Sequence, residues 1–100
     1  MVTMLVFYRA PADAEAFEKR YVEGHLPKIG EYQNIKEFSF HKVSRKVMGD
    51  FPYEYVFSGS WADKDGWKAD LGSDAAKQAT EDANTFAEGL FDVVLLEQLA

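Results

Sequence analysis

The stretch "TMLVFY" at residues 3–8 is an almost unbroken run of apolar, β-branched and aromatic side chains that stops at "RAPAD". Its length and its stop at a turn carrying Pro11 mark it as a strand. A strand that packs one face on a core alternates apolar with polar residues, and this one does not. The run "VVLL" at residues 93–96 has the same character. Strands covered on both faces have this pattern, so the question is what the chain can place on each side.

Working outward, Asp13 is positioned as an N-cap, with Glu15 and Glu18 near the positive end of the helix that follows. Ala14, Phe17, Tyr21 and His25 are spaced 3, 4 and 4, which is one helical face. Pro27 lacks an N–H and crowds the carbonyl of Glu23, which predicts a helix end or kink near Leu26. After Gly30, "IKEFSFHKVSRKV" predicts a long strand over 35–47. "MGDFP" turns the chain, and "YEYVFSGSW" at 53–61 supplies a second strand able to form a hairpin with the first. "ADKDGWKADL" predicts a short helix around Trp67, ended by Gly72. Ser73 caps a better one, in which Ala75, Ala76, Ala79, Ala83, Phe86, Ala87 and Leu90 form a stripe. "LFDVVLLEQL" is the last strand.

The order is β-α-β-β-α-β with the second α split. It points to an α+β, ferredoxin-like, four-stranded antiparallel sheet. The handedness of the crossovers puts both helical layers on one face. One chain therefore covers one side of sheet whose strands are apolar on both. A second copy is the simplest cover, giving a homodimer joined sheet to sheet across a standard-sized interface of ~800 Å² per partner.

Composition narrows the partners. One hundred residues make a single domain, 1–100, with 47% apolar and 28% charged residues. The net charge of −6 repels phosphate, so nucleic acid and anionic membranes are disfavoured. The absence of cysteine excludes disulfides, thiol nucleophiles and thiolate metal sites. The N-terminus has no basic segment ahead of its apolar run, and nothing approaches the ~18 apolar residues of a membrane span. The expectation is a soluble, cytoplasmic domain. Fifteen aromatic residues are many for so small a core. Each is worth roughly 1.5–3 kcal/mol when buried, so some should line a pocket or an interface.

Catalytic signatures are sparse. There is no G-x-S-x-G, P-loop, G-x-G-x-x-G or H-E-x-x-H. No carboxylate spacing builds a metal box around His25 or His41. Ser58 and Ser60 lie inside a strand pattern. Tyr21 and His25 stand four apart on the helix face that points to the sheet. Histidine exchanges protons near neutral pH, and a phenol can donate to a developing oxyanion. The alternative for His25 is a bond to a last-turn carbonyl near the helix C-terminus. For His41 it is a cross-strand contact. Trp61, Trp67 and Phe86 serve equally as core, and Asp82 and Asn84 as helix-end caps or bridges.

The pattern "F-x3-Y-x3-HLP" at 17–27, the strands "IKEFSFHKV" and "PYEYVFSGSW", "S-D-A" at 73–75 and "D-A-N-T-F" at 82–86 resemble the EthD-like family. That family belongs to the dimeric α/β-barrel superfamily, and the likeness spans nearly the whole chain. It implies two ferredoxin-like subunits forming a barrel, with a cavity between each sheet and its own helices near His25 and Tyr21. Superfamily members include cofactor-independent monooxygenases, cyclases, lactone isomerases and haem-degrading enzymes. Haem-degrading members use an Asn on the first strand and a His on the last helix. Here the strand offers Phe7 and the helix has no histidine. Cyclase-like members carry a late histidine, and none follows His41.

Two functions are compatible with these residues. One is an enzyme of proton-transfer or cofactor-independent oxidoreductase type, acting on a small hydrophobic metabolite without metal or organic cofactor. His25 would be its acid or base and Tyr21 its hydrogen-bond donor, with Phe17, Trp67, Phe86 and Asn84 as substrate-binding candidates. The other is a non-catalytic binding or accessory protein.

Overall fold

The N-terminal apolar run forms β1, Val2–Tyr8, in a computed structural model that describes residues 1–100. A helical run follows in three parts: α1, Ala14–Arg20, a π-helical segment, Tyr21–His25, and α2, Leu26–Ile29. Then come β2, Glu37–Lys42, β3, Tyr55–Trp61, α3, Lys64–Leu71, α4, Asp74–Phe86, and β4, Phe91–Glu97. The sheet order is β2-β3-β1-β4 with every neighbouring pair antiparallel, the ferredoxin-like arrangement expected from the sequence. The caps also sit as expected. Asp13 accepts from Ala16 N–H, Ser73 accepts from Ala76 N–H, and Gly72 closes α3. No helix is long and apolar enough to cross a membrane.

Of the end or kink expected near Leu26, the structure shows no end but a break of helical register at that point. The chain stays helical through Ile29 because it widens first. The Leu26 N–H bonds the carbonyl of Tyr21, five residues back. This change of register puts Pro27 in the first turn of a fresh α segment, where a missing N–H costs little. The strand expected over 35–47 is also shorter. Val43 N–H still reaches Glu54 O at 2.8 Å, but the chain then leaves the ladder. Phe51 and Tyr53 turn onto Phe7, with ring centroids 5.8 and 5.2 Å away, and Tyr53 bonds Asp92. These contacts draw the connection over the sheet instead of extending the hairpin.

Register sorts the strands into two faces. Val2, Val6 and Tyr8 of β1 are buried beneath the helices, and Tyr55, Phe57 and Trp61 of β3 face the same way. Ala79 of α4 presses close on this layer through its small side chain, beside Ala76 and Ala83 of the same buried stripe. Thr3, Leu5 and Phe7 point to the opposite face, alongside Leu96, Val94 and Asp92 of β4. Val94 and Leu96 are 42% and 46% exposed in the single chain. The apolar pattern of both strands thus corresponds to two faces, of which the helices cover one.

Candidate functional site

The helix face read from the sequence does point into the fold. Tyr21 is wholly buried and its ring stacks on Phe40 of β2 at 3.8 Å and 9°. Its hydroxyl lies 2.8 Å from that of Tyr8. His25 is 5% exposed, its ring 4.8 Å from that of Tyr21 and 5.6 Å from that of Phe86. Both residues belong to the widened turn, and π-helical segments of this kind recur at functional sites.

Asp82 of α4 completes the arrangement. Its side chain is only 9% exposed, and Oδ2 stands 3.0 Å from His25 Nδ1. Arg20 grips both carboxylate oxygens, Nη1 to Oδ2 at 3.2 Å and Nη2 to Oδ1. Burial alone would raise the Asp82 carboxyl, but hydrogen bonds from Arg20 and His25 overcome this and hold it below its ordinary range. An ionised carboxylate only accepts, so Nδ1 of His25 carries the proton and Nε2 keeps its lone pair. Nε2 has no hydrogen-bond partner in the protein. Burial pushes the imidazole below its ordinary 6.5. Asp82 opposes this, whereas Arg20 and Lys28 reinforce it.

The ring borders a cavity of about 150 Å³ between the sheet and the helices. Met4, Val6, Phe57, Phe91 and Val93 form the sheet wall, and Tyr21, His25, Ile29, Ala79 and Ala83 the helix wall. Val93 and Leu71 are well exposed and mark the mouth. A cavity of this size is in the class that accepts one benzene ring. Its polar groups are few: His25, the Tyr8–Tyr21 pair, Tyr32 and Thr80. Burial pushes the Tyr8 phenol up to about 12 and the Tyr21 phenol far above its ordinary value, so both keep their protons. Two hydroxyls sharing one hydrogen bond leave one proton with no protein acceptor. The residues lining the cavity thus include a histidine with an unpaired ring nitrogen and a tyrosine pair with an unpaired O–H. No group of three or more His, Cys, Asp or Glu side chains is placed to hold a metal ion.

The structure distributes the other candidates differently. Phe86 backs His25 and lies 4.8 Å from the Arg20 guanidinium carbon, behind the cavity wall. Phe17 is core, packed against Tyr8, Tyr55 and Phe86. Trp67 of α3 and Asn84, exposed on α4, do not line the cavity. Asp82 bridges two helices instead of capping one. His41 bonds Ser39 Oγ at 2.8 Å on the exposed outer face of β2. Sequence reasoning missed Arg20, Tyr8 and the role of Asp82. The available signal was position 82, three beyond Ala79 and four before Phe86, on the edge of the buried stripe.

The family model of the REDY-like protein HapK matches residues 2–99. No curated protein matches the sequence significantly. Among solved structures, an ethyl tert-butyl ether d (EthD) family protein of Bacillus halodurans C-125 superposes at TM-score 0.90. The identity is 21%, over 99% of both chains. A dimeric ferredoxin-like protein of unknown function from Jannaschia sp. CCS1 gives TM-score 0.76 at 19% identity, over 97% of this chain and 98% of that one. SnoaB, a cofactor-independent oxygenase of Streptomyces nogalater, gives 0.70 at 12%, over 97% and 91%. At these identities the superpositions establish the shared ferredoxin-like fold, whereas the family match runs almost end to end. The chain belongs to the REDY-like HapK family.

Proposed function

We propose that the protein binds a small hydrophobic, ring-sized ketone or phenol in the cavity and moves a proton on it, without metal or organic cofactor. The observation that carries this reading is the free Nε2 of His25 at the wall of an apolar cavity, with Nδ1 held by Asp82 at 3.0 Å. Nε2 takes a proton from carbon next to a ligand carbonyl, and the ring becomes an imidazolium whose Nδ1–H remains on Asp82. The bonding pair moves into the carbonyl, and the enolate oxygen accepts the spare O–H of the Tyr8–Tyr21 pair. Returning the proton to carbon or oxygen restores His25. An electron-rich enolate or phenolate is also the species with which cofactor-independent oxygenation begins, which keeps an oxidoreductase outcome within the same chemistry.

Acetophenone in D2O provides the test. Methyl resonances of Met4 and Ile29, both in the cavity wall, are expected to shift on titration. Deuterium should enter the acetophenone methyl group, read by mass spectrometry. His25→Gln should keep the resonance shifts and lose the exchange. Shifts without exchange in the wild type would favour a non-catalytic binding or accessory protein.

The reading includes a homodimer. Its support is the outward apolar face of Leu5, Phe7, Val94 and Leu96, together with a structural relative described as dimeric. Leu96→Lys, on the exposed β4 part of that face, should convert the dimer to monomer in sedimentation velocity at micromolar concentration. A wild type that sediments as a monomer would remove this part.

A further inference from the structure

Arg20 lies in the last turn of α1, and its guanidinium runs over its own helix to reach α4. Residue 24, four positions on, is a glycine, which leaves this path open. A Cβ there would overlap Arg20 Nη1 and come within 3.4 Å of Cζ. Glycine inside a helix costs stability relative to alanine, so its presence here calls for a local reason, and the Arg20 side chain provides one. At its far end the guanidinium is fixed three ways: on both oxygens of Asp82, 3.5 Å from Thr85 Oγ1, and 4.8 Å over the Phe86 ring.

This grip has an electrostatic consequence. A lone carboxylate as secluded as Asp82 favours a positive neighbour, and next to an imidazole it would obtain one by protonating the ring. Arg20 already provides the positive charge. We propose that Arg20, passing over Gly24, is a positioning residue: it grips both oxygens of Asp82 and supplies their counter-charge, so that the carboxylate takes the Nδ1–H of His25 without drawing a second proton onto the ring. The proposal rests on the reading of His25 as the base. It adds that the state of this base is set from the opposite side of the carboxylate.

The other groups around His25 are consistent with this. Lys28 lies one turn further along the same helical run. Tyr21 is beside the ring, with Tyr8 and Tyr32 across the cavity as phenols whose ionisation burial suppresses. The sheet residues lining the cavity carry no charge. Asp82 is therefore the charge in direct contact with His25, and Arg20 the charge in direct contact with Asp82.

Titration of His25 by long-range 1H–15N NMR, with His41 as internal reference, tests the proposal without any ligand. The wild type should show the neutral Nδ1–H tautomer at pH 7. In Arg20→Met the His25 midpoint should rise, and Arg20→Lys, which restores the charge but not the two-oxygen grip, should recover part of that rise. Gly24→Ala keeps the arginine but obstructs its path, and should also raise the midpoint. If Arg20→Met is too unstable to titrate, Arg20→Lys, whose midpoint should lie above that of the wild type, decides alone. Midpoints equal to wild type in the variants that fold would overturn the proposal and leave the base assignment intact. Conversely, shifted midpoints with no deuterium entering acetophenone would remove the proton-transfer reading and leave this one standing.

Discussion

The sheet separates two clusters built from nearly the same parts. On the helix side, Arg20 and Asp82 meet the ring of His25. On the outer face, Arg9 and Asp92 meet Tyr53, with the Arg9 guanidinium carbon 5.1 Å from the ring centroid. In both, hydrogen bonds hold the aspartate below its ordinary pKa. Seclusion separates them. Asp82 retains 9% of its side-chain exposure and Asp92 50%. Water replaces any lost partner of Asp92, whereas Asp82 has only its neighbours. The same residue types make a surface clasp on one side and a chemically poised group on the other, and the difference lies in what packs around them.

Four experiments would break or sharpen this contrast. The largest expected effect is on stability: Asp82→Ala strands Arg20 and His25 and should cost about 2–3 kcal/mol in urea unfolding. Asp92→Ala should barely move the same curve. Equal losses would show that burial is not what distinguishes the clusters.

Acid should separate them next. His25 is depressed in the folded state, so the unfolded chain binds its proton more readily below 6.5. Stability from this group is complete above 6.5 and is lost as pH falls from there towards the folded value. The slope is at most about 1.4 kcal/mol per pH unit. Asp82, also depressed, adds a second loss below its ordinary 3.8. Urea midpoints measured from pH 4.5 to 7.5 should therefore fall on acidification. His25→Gln should flatten the upper part of the decline, and Asp92→Asn should leave it unchanged.

A smaller effect concerns the tyrosines. Tyr21→Phe removes one hydroxyl of the buried pair and should cost about 1 kcal/mol, while leaving deuterium exchange into acetophenone slowed and not abolished, since Tyr8 still donates. Smallest of all, His41→Gln on exposed β2 should alter neither stability nor exchange. A measurable change there would mean that the outer face takes part in the chemistry.

Most of the fold was legible because local signals and long-range consequences agreed. Asp13, Ser73 and Gly72 bound their helices through contacts within a few residues, and the unbroken apolar strands implied a sheet apolar on both faces, one of which the helices cover. The site was half legible. The spacing of Tyr21 and His25 depends only on helix geometry. Asp82 lies 57 residues from His25 and 62 from Arg20, so only tertiary packing brings them together. Trp67 and Asn84 were drawn in by residue type, but side chains flanking a motif need not share its cavity. At Pro27 the place of the disturbance, near Leu26, was legible but its form was not. Proline opposes continuation of a regular α-helix, and the chain escaped by altering the regularity first.

That escape amounts to one surplus residue stored within the first helical run. Everything beyond it, including Ile29 and Tyr32 on the cavity wall, is turned by roughly 100° from where an uninterrupted spiral would leave it. Excising a single residue from 22–24 would rewind the segment, bring Pro27 against a carbonyl and swing those walls aside. The pocket is thus sensitive to chain length in a way that its greasy lining, tolerant of exchange between similar side chains, is not.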